Sequence, residues 1–117
     1  MKIAIGKLFE ARGALEKIQS KDLPANISFR LAKNIKPITQ VLETFEASRV
    51  ALVKKYGIDE NGVTRVAPDK IPQFKEEFDK LAAEEVEIEW QPISITDIAD
   101  VKLSTFEASH LEPFITE

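Results

Sequence analysis

Apolar residues recur with helical spacing through the first half of the chain. Leu31, Ile35, Ile38, Leu42, Phe45, Arg49, Leu52 and Tyr56 are separated by alternating steps of four and three. That alternation keeps one stripe of a long helix turned towards a partner. It predicts a helix over Leu23–Tyr56, about 50 Å long at 1.5 Å per residue. Two residues break the pattern. Pro37 lacks an N–H and is expected to kink the helix. Arg49 stands in the seam where an apolar residue belongs.

A shorter helix is predicted before it, over about Lys7–Ser20, with the stripe Leu8, Ala11, Leu15 and Ile18. The connector Ser20-Lys21-Asp22 is short, so the two helices should fold into an antiparallel hairpin. Ile3 and Ile5 alternate with Lys2 and Ala4 and read as a short strand ending at Gly6. Asp22 or Leu23 is the expected cap of the long helix, with Pro24 in its first turn. Gly57 is expected to end that helix in a left-handed conformation.

The second half alternates between elements. Asp59-Glu60-Asn61-Gly62 reads as a turn, Asn-Gly favouring type I′ geometry, with a strand over Val63–Val66. A calcium loop here would need a carboxylate at its twelfth position. Starting Asp59 at position 1, 3 or 5 puts Lys70, Pro68 or Val66 there, which excludes an EF-hand. A third helix over about Asp69–Glu84 carries the stripe Ile71, Phe74, Phe78 and Leu81. Glu85–Trp90 alternates strictly, Val86, Ile88 and Trp90 against Glu85, Glu87 and Glu89, and reads as a strand with a solvated acidic face. Thr96 or Asp97 should cap a short turn. Ser104-Thr-Phe-Glu107 is a capping box before a last helix over about Thr105–Leu111. The fold class is α+β: a long antiparallel helical hairpin with a small antiparallel sheet and two shorter helices, in one domain. The run Thr44-Phe-Glu-Ala-Ser48 recurs at Thr105–Ser109, but its flanks do not match, so it is no duplication.

Composition narrows the chemistry. With 117 residues, no cysteine and one histidine, disulfides, thiolate metal sites and cysteine nucleophiles are excluded. A single chain cannot build an all-histidine metal site. Ser109 and His110 are sequence neighbours, which on a helix point about 100° apart and form no nucleophile–base pair by themselves. No glycine-rich phosphate loop occurs. A non-enzymatic protein without a cofactor is expected. No apolar run is long enough to span a bilayer, and no signal-peptide pattern opens the chain, so no membrane partner and a soluble, cytoplasmic protein are expected.

The net charge of −4 conceals an asymmetry. Residues 1–56 hold 11 Lys/Arg against 5 Asp/Glu, a balance of +6; residues 57–117 hold 5 against 15, a balance of −10. Arg30, Lys33 and Asn34 share a helix face and form a candidate anion-binding group. Arg49 has three readings: an ion pair with an acid such as Glu46, a packed stem at the edge of the seam, or a bidentate grip on phosphate. Tyr56 and Trp90 are candidate stacking surfaces for a base. The acidic second half argues against double-stranded nucleic acid, whereas a small anion in a basic pocket escapes that objection.

Four stretches carry a resemblance: Leu31-Ala-Lys33-Asn34, Lys54-Lys-Tyr-Gly57, Asp59-Glu-Asn-Gly62 and Leu111-Glu-Pro-Phe-Ile115. In these, and in element order, the chain resembles a family of small uncharacterised proteins of tailed phages and prophages, known chiefly as a domain of unknown function. The resemblance implies a phage origin, a host-cytoplasmic location and no defined chemistry. Small non-enzymatic phage proteins are commonly virion or assembly parts, or inhibitors of host defence, some of them oligomeric sponges for nucleotide signals. The expected function is therefore a homo-oligomeric binding protein that sequesters a small anionic, nucleotide-derived signal. The alternative is a phage structural or assembly protein acting through protein contacts alone.

Overall fold

A computed structural model describes residues 1–116. Strand β1 (Lys2–Ala4) leads directly into α1 (Ile5–Gln19), which packs against α2 (Ala25–Tyr56). The helical hairpin expected from the spacing is therefore present. α2 has 32 residues, about 48 Å at 1.5 Å per residue, and sets the molecule's longest dimension of 50 Å. Its helical assignment continues through Pro37.

Hairpin strands β2 (Gly57–Glu60) and β3 (Val63–Val66) follow. Asn61 and Gly62 both have positive φ, 52° and 80°, as a type I′ turn demands. A single 3-10 turn precedes α3 (Ile71–Ala83). β4 (Glu85–Glu87) returns antiparallel to β1, with Ile3 opposite Val86. Glu85, Glu87 and Glu89 are exposed, while Ile88 is buried and Trp90 packs against the core. β5 (Ile93–Ser94) then pairs with β6 (Ile115–Thr116), and α4 (Thr105–Leu111) lies between them. The β5–β6 pair is parallel, so the expected antiparallel sheet is three separate two-stranded ladders, two antiparallel and one parallel.

The core gathers at one end. Leu8, Ala11, Leu15 and Ile18 of α1 meet Ile27, Leu31 and Ile38 of α2. Ile88, Ile93, Ile98, Leu111 and Phe114 of the last third close over them. Phe45, 2% exposed, is the last buried residue along α2. Its ring lies 5.1 Å from Phe9 and 5.6 Å from Phe78, joining α1, α2 and α3.

Several details differ from the sequence expectation. Ile5 and Gly6 belong to α1, not to a strand. A Cβ at Gly6 would lie 3.1 Å from the Ala82 Cβ, so the glycine serves a close crossing of α1 and α3. α2 begins at Ala25 behind Pro24, without a side-chain cap from Asp22 or Leu23. Gly57 is extended at φ −93°, not left-handed. Its missing Cβ would strike the Val53 carbonyl oxygen and lie 2.8 Å from Thr64 Cγ2. The turn after β5 is capped by Ser94, in a capping box with Asp97, not by Thr96 or Asp97. The Ser104–Glu107 capping box forms as expected.

Candidate functional site

Proline at position 37 removes the N–H that would bond the carbonyl four residues back, leaving Lys33 C=O without its helical donor. An open cleft of about 500 Å³ lies along this stretch of α2. Lys33, Lys36, Pro37 and Gln40 form one wall, Glu89 and Gln91 the other, and Asn34 lies between them.

Asn34 is 1% exposed and both ends of its carboxamide are used. Its Nδ2 donates to the Gln91 carbonyl at 2.8 Å, and its Oδ1 accepts from the Gln91 N–H at 2.8 Å. This two-pronged bracket ties the second wall to α2. Arg30 works one turn earlier. It donates to the Pro92 carbonyl at 3.2 Å and pairs with Asp97 at 3.6 Å. Asp97 is held below the usual carboxylate range, first by the Ser94 backbone N–H, with Ser94 Oγ and Arg30 adding to it.

Lys33 and Lys36 are exposed and pair with no carboxylate among the described residues. They stand three residues apart, so their charges repel across one helix turn. An anion between them would relieve that repulsion. Glu89 on the opposite wall accepts hydrogen bonds but donates none.

The six residues singled out from sequence do not converge on one pocket within a protomer. Lys33 and Asn34 line the cleft, and Arg30 anchors its edge. Trp90 belongs to the same segment but faces the other way. The expected strand Glu85–Trp90 pairs only over Glu85–Glu87, and in the segment after it Glu89 and Gln91 line the cleft while Trp90 packs against the core. Its indole N–H donates to the Phe114 carbonyl at 3.0 Å and its ring lies 5.2 Å from Phe114. Trp90 is thus a packing residue with a satisfied donor, not a stacking platform for a ligand in this cleft.

Arg49 lies 15 positions beyond Asn34, about 22 Å along the helix axis. It forms a two-bonded pair with Glu46, Nε donating to Oε2 at 3.0 Å and Nη2 to Oε1. The ion-pair reading of this seam residue is the one the geometry shows. The Arg49 hydrogen bond lowers the pKa of the Glu46 carboxyl and raises that of the guanidinium. The surrounding α1–α2 groove holds Arg12 and Arg49 against Glu16, Glu43 and Glu46, a net charge of −1 that does not attract anions. Tyr56 lies about 33 Å from Asn34 along the axis, next to Lys55, whose ammonium pairs with Glu77 at 3.0 Å.

Sequence reasoning places Lys36 in the same basic run as Arg30 and Lys33 but not on their shared face with Asn34, and it does not single out Gln40 or Gln91. Pro37 was the available signal, because a proline inside an apolar-periodic helix marks an opened backbone.

His110 lines a second open cleft of about 490 Å³ with Lys7, Glu10, Ser109, Glu112 and Pro113. Its Nδ1 is 3.9 Å from Glu10, its ring packs edge-on against Phe106, and the Ser109 hydroxyl donates to the Phe106 carbonyl. Among the described residues no group of three or more His, Cys, Asp or Glu side chains is placed to hold a metal ion. No described helix is long and apolar enough to cross a membrane. Comparison with known proteins gives no match to any family model, curated protein or solved structure.

Proposed function

We propose that this protein is a non-enzymatic, homo-oligomeric binding protein that holds a small phosphate-bearing ligand in the Pro37 cleft. The observation that carries the reading is the unpaired Lys33–Lys36 couple beside Pro37, which leaves the Lys33 carbonyl without its helical donor. Two ammonium groups one turn apart span the oxygens of one phosphate or of a diphosphate. Gln40 and Gln91 add amide donors, and Glu89 accepts from a hydroxyl or amino group. The ligand therefore combines an anionic end with a donor end, as a ribose phosphate with a base edge does. A nucleotide-derived signal meets that description. Together with the likeness to phage proteins, it makes sequestration of a host defence signal in the cytoplasm the leading role.

A second reading, a phage assembly protein acting through protein contacts alone, is favoured by Phe29 and Phe106, each 73% exposed. Native mass spectrometry separates the two. The protein is weighed before and after incubation with cyclic oligonucleotides and ADP-ribose derivatives. A discrete added mass that disappears in Lys33→Ala/Lys36→Ala supports the ligand reading. An oligomer that takes up nothing from the panel overturns it in favour of the assembly role.

A further inference from the structure

The run from Ile88 to Pro92 is held from two sides. Ile88 exchanges two hydrogen bonds with Met1, its N–H donating at 2.7 Å and its C=O accepting at 2.6 Å. Gln91 turns both of its backbone groups to Asn34 of α2 instead. Neighbouring residues of an extended chain turn their N–H and C=O to opposite sides. Different partners at positions 88 and 91 therefore fit an extended run. The side chains agree: Ile88 is buried, Glu89 exposed, Trp90 packed against the core and Gln91 exposed. Glu89 thus shares the side of Gln91, with its N–H and C=O turned towards α2.

Arg30 meets Pro92 and Asn34 meets Gln91, so the run descends as α2 ascends. Two residues of extended chain cover about 6.6 Å, which is between four and five residues of helix. Glu89 therefore comes opposite the turn Pro37–Gln40, and Pro37, Gln40 and Glu89 all line the cleft. No second asparagine stands in that turn, and Pro37 has no N–H to offer. Among the described residues nothing bonds the Glu89 N–H or C=O. A donor and an acceptor thus stand side by side on the cleft wall, opposite the unpaired lysines.

We infer that the Glu89 backbone reads the edge of a nucleobase in this cleft, repeating the bracket that Asn34 makes with Gln91. The Asn34 carboxamide defines the chemistry required: a donor for the C=O and, beside it in one plane, an acceptor for the N–H. A phosphate has acceptors only. A nucleobase carries the fixed pair on its edge, in adenine the 6-amino group beside a ring nitrogen. Lys33 and Lys36 take the phosphate, the Glu89 N–H and C=O take the base, and the Glu89 carboxylate is left for a ribose hydroxyl. The cleft volume of about 500 Å³ falls within the roughly 300–1,000 Å³ of small-molecule sites.

The inference rests on the phosphate reading of the cleft and adds the base to it. Isothermal titration calorimetry of the full chain tests it with three probes. AMP has phosphate, ribose and base; ribose 5-phosphate lacks the base; purine riboside 5′-monophosphate lacks only the amino donor. Wild type should bind AMP at least about tenfold tighter than either of the others. Glu89→Ala and Glu89→Pro both remove the carboxylate, but only proline removes the N–H, and its fixed φ suits an extended run. The ratio of AMP to ribose 5-phosphate affinity should persist in Glu89→Ala and fall towards one in Glu89→Pro, with circular dichroism unchanged. Equal binding of the three probes by wild type overturns the base reading and leaves the phosphate site standing. A ratio that survives in Glu89→Pro, or is already lost in Glu89→Ala, also overturns it. Should Glu89→Pro fail to fold, the three probes on wild type decide. Binding of none of them by wild type overturns the phosphate reading and this inference with it.

Discussion

Asn34 and Gln91, 57 residues apart, exchange two hydrogen bonds of 2.8 Å, side-chain amide to backbone, at a site 1% exposed. An asparagine can present a donor and an acceptor side by side, which is what one residue of extended backbone offers. The bracket fixes Glu89 and Gln91 against α2 and so sets the width of the cleft. Asn34→Ala leaves both backbone groups of Gln91 unpaired, and the expected loss of stability is about 3 kcal/mol. Urea denaturation of the variant should show a lower midpoint. Asn34→Asp keeps the acceptor but sets an oxygen against the Gln91 carbonyl. It should be destabilised at neutral pH and partly recover as the aspartate is protonated.

Two glycines should respond in opposite directions. Gly57→Ala drives a Cβ into the Val53 carbonyl and against Thr64, with an expected cost of about 1–3 kcal/mol. Gly13→Ala, inside α1, meets nothing within 4 Å and should gain roughly 1 kcal/mol from helix propensity. Thermal unfolding of the two variants beside wild type reads both signs.

Two capping carboxylates make the docking of the last third acid-sensitive. Glu107 is held below the usual range first by the Ser104 backbone N–H and then by Lys17 of α1, 2.9 Å away. Asp97 is lowered by Ser94 and, across the fold, by Arg30. A carboxylate whose folded pKa is depressed stabilises the fold above its unfolded pKa, and that contribution is lost as pH falls through the folded value. The melting temperature should therefore hold above about pH 5 and decline below it. Glu107→Gln should lower the neutral-pH melting temperature and flatten the acid decline.

The helical framework was legible because its signals are local. Spacing placed α2 and the Ser104–Glu107 capping box, and the Asn61-Gly62 dipeptide placed the type I′ turn. The parallel pairing of Ile93 with Ile115 was not, since two short apolar runs 22 residues apart carry no mark of direction. Gly57 was placed correctly at the end of α2 for the wrong reason: its role depends on Val53 and Thr64, and only a folded hairpin brings Thr64 there. Asn34 sits among Arg30, Lys33 and Lys36 and so reads as a member of a solvated basic face. Yet Leu31, Asn34 and Ile38 are spaced three and four apart, which is core spacing. That small contradiction was the one sequence sign of a buried polar bracket.

Arg49→Ala should have little effect on either property. Its pairing with Glu46 is partly exposed, at 37% and 48% of the two side chains, and solvent screening leaves such pairs little net effect on stability. At about 22 Å from Asn34 along the helix, it lies outside the cleft of its own protomer. Its melting temperature and ligand uptake should both match wild type within error.

Binding at the Pro37 cleft is tested most directly by isothermal titration calorimetry with ADP-ribose as the probe, on wild type and on Lys33→Ala/Lys36→Ala. Charged hydrogen bonds to two ammonium groups should make the wild-type affinity at least about tenfold the tighter. The difference should shrink with added salt, as screening of exposed lysines requires. Saturable wild-type binding that is lost in the double variant is the predicted result. No binding heat in wild type, or equal affinity in the two proteins, would contradict a phosphate site at this cleft.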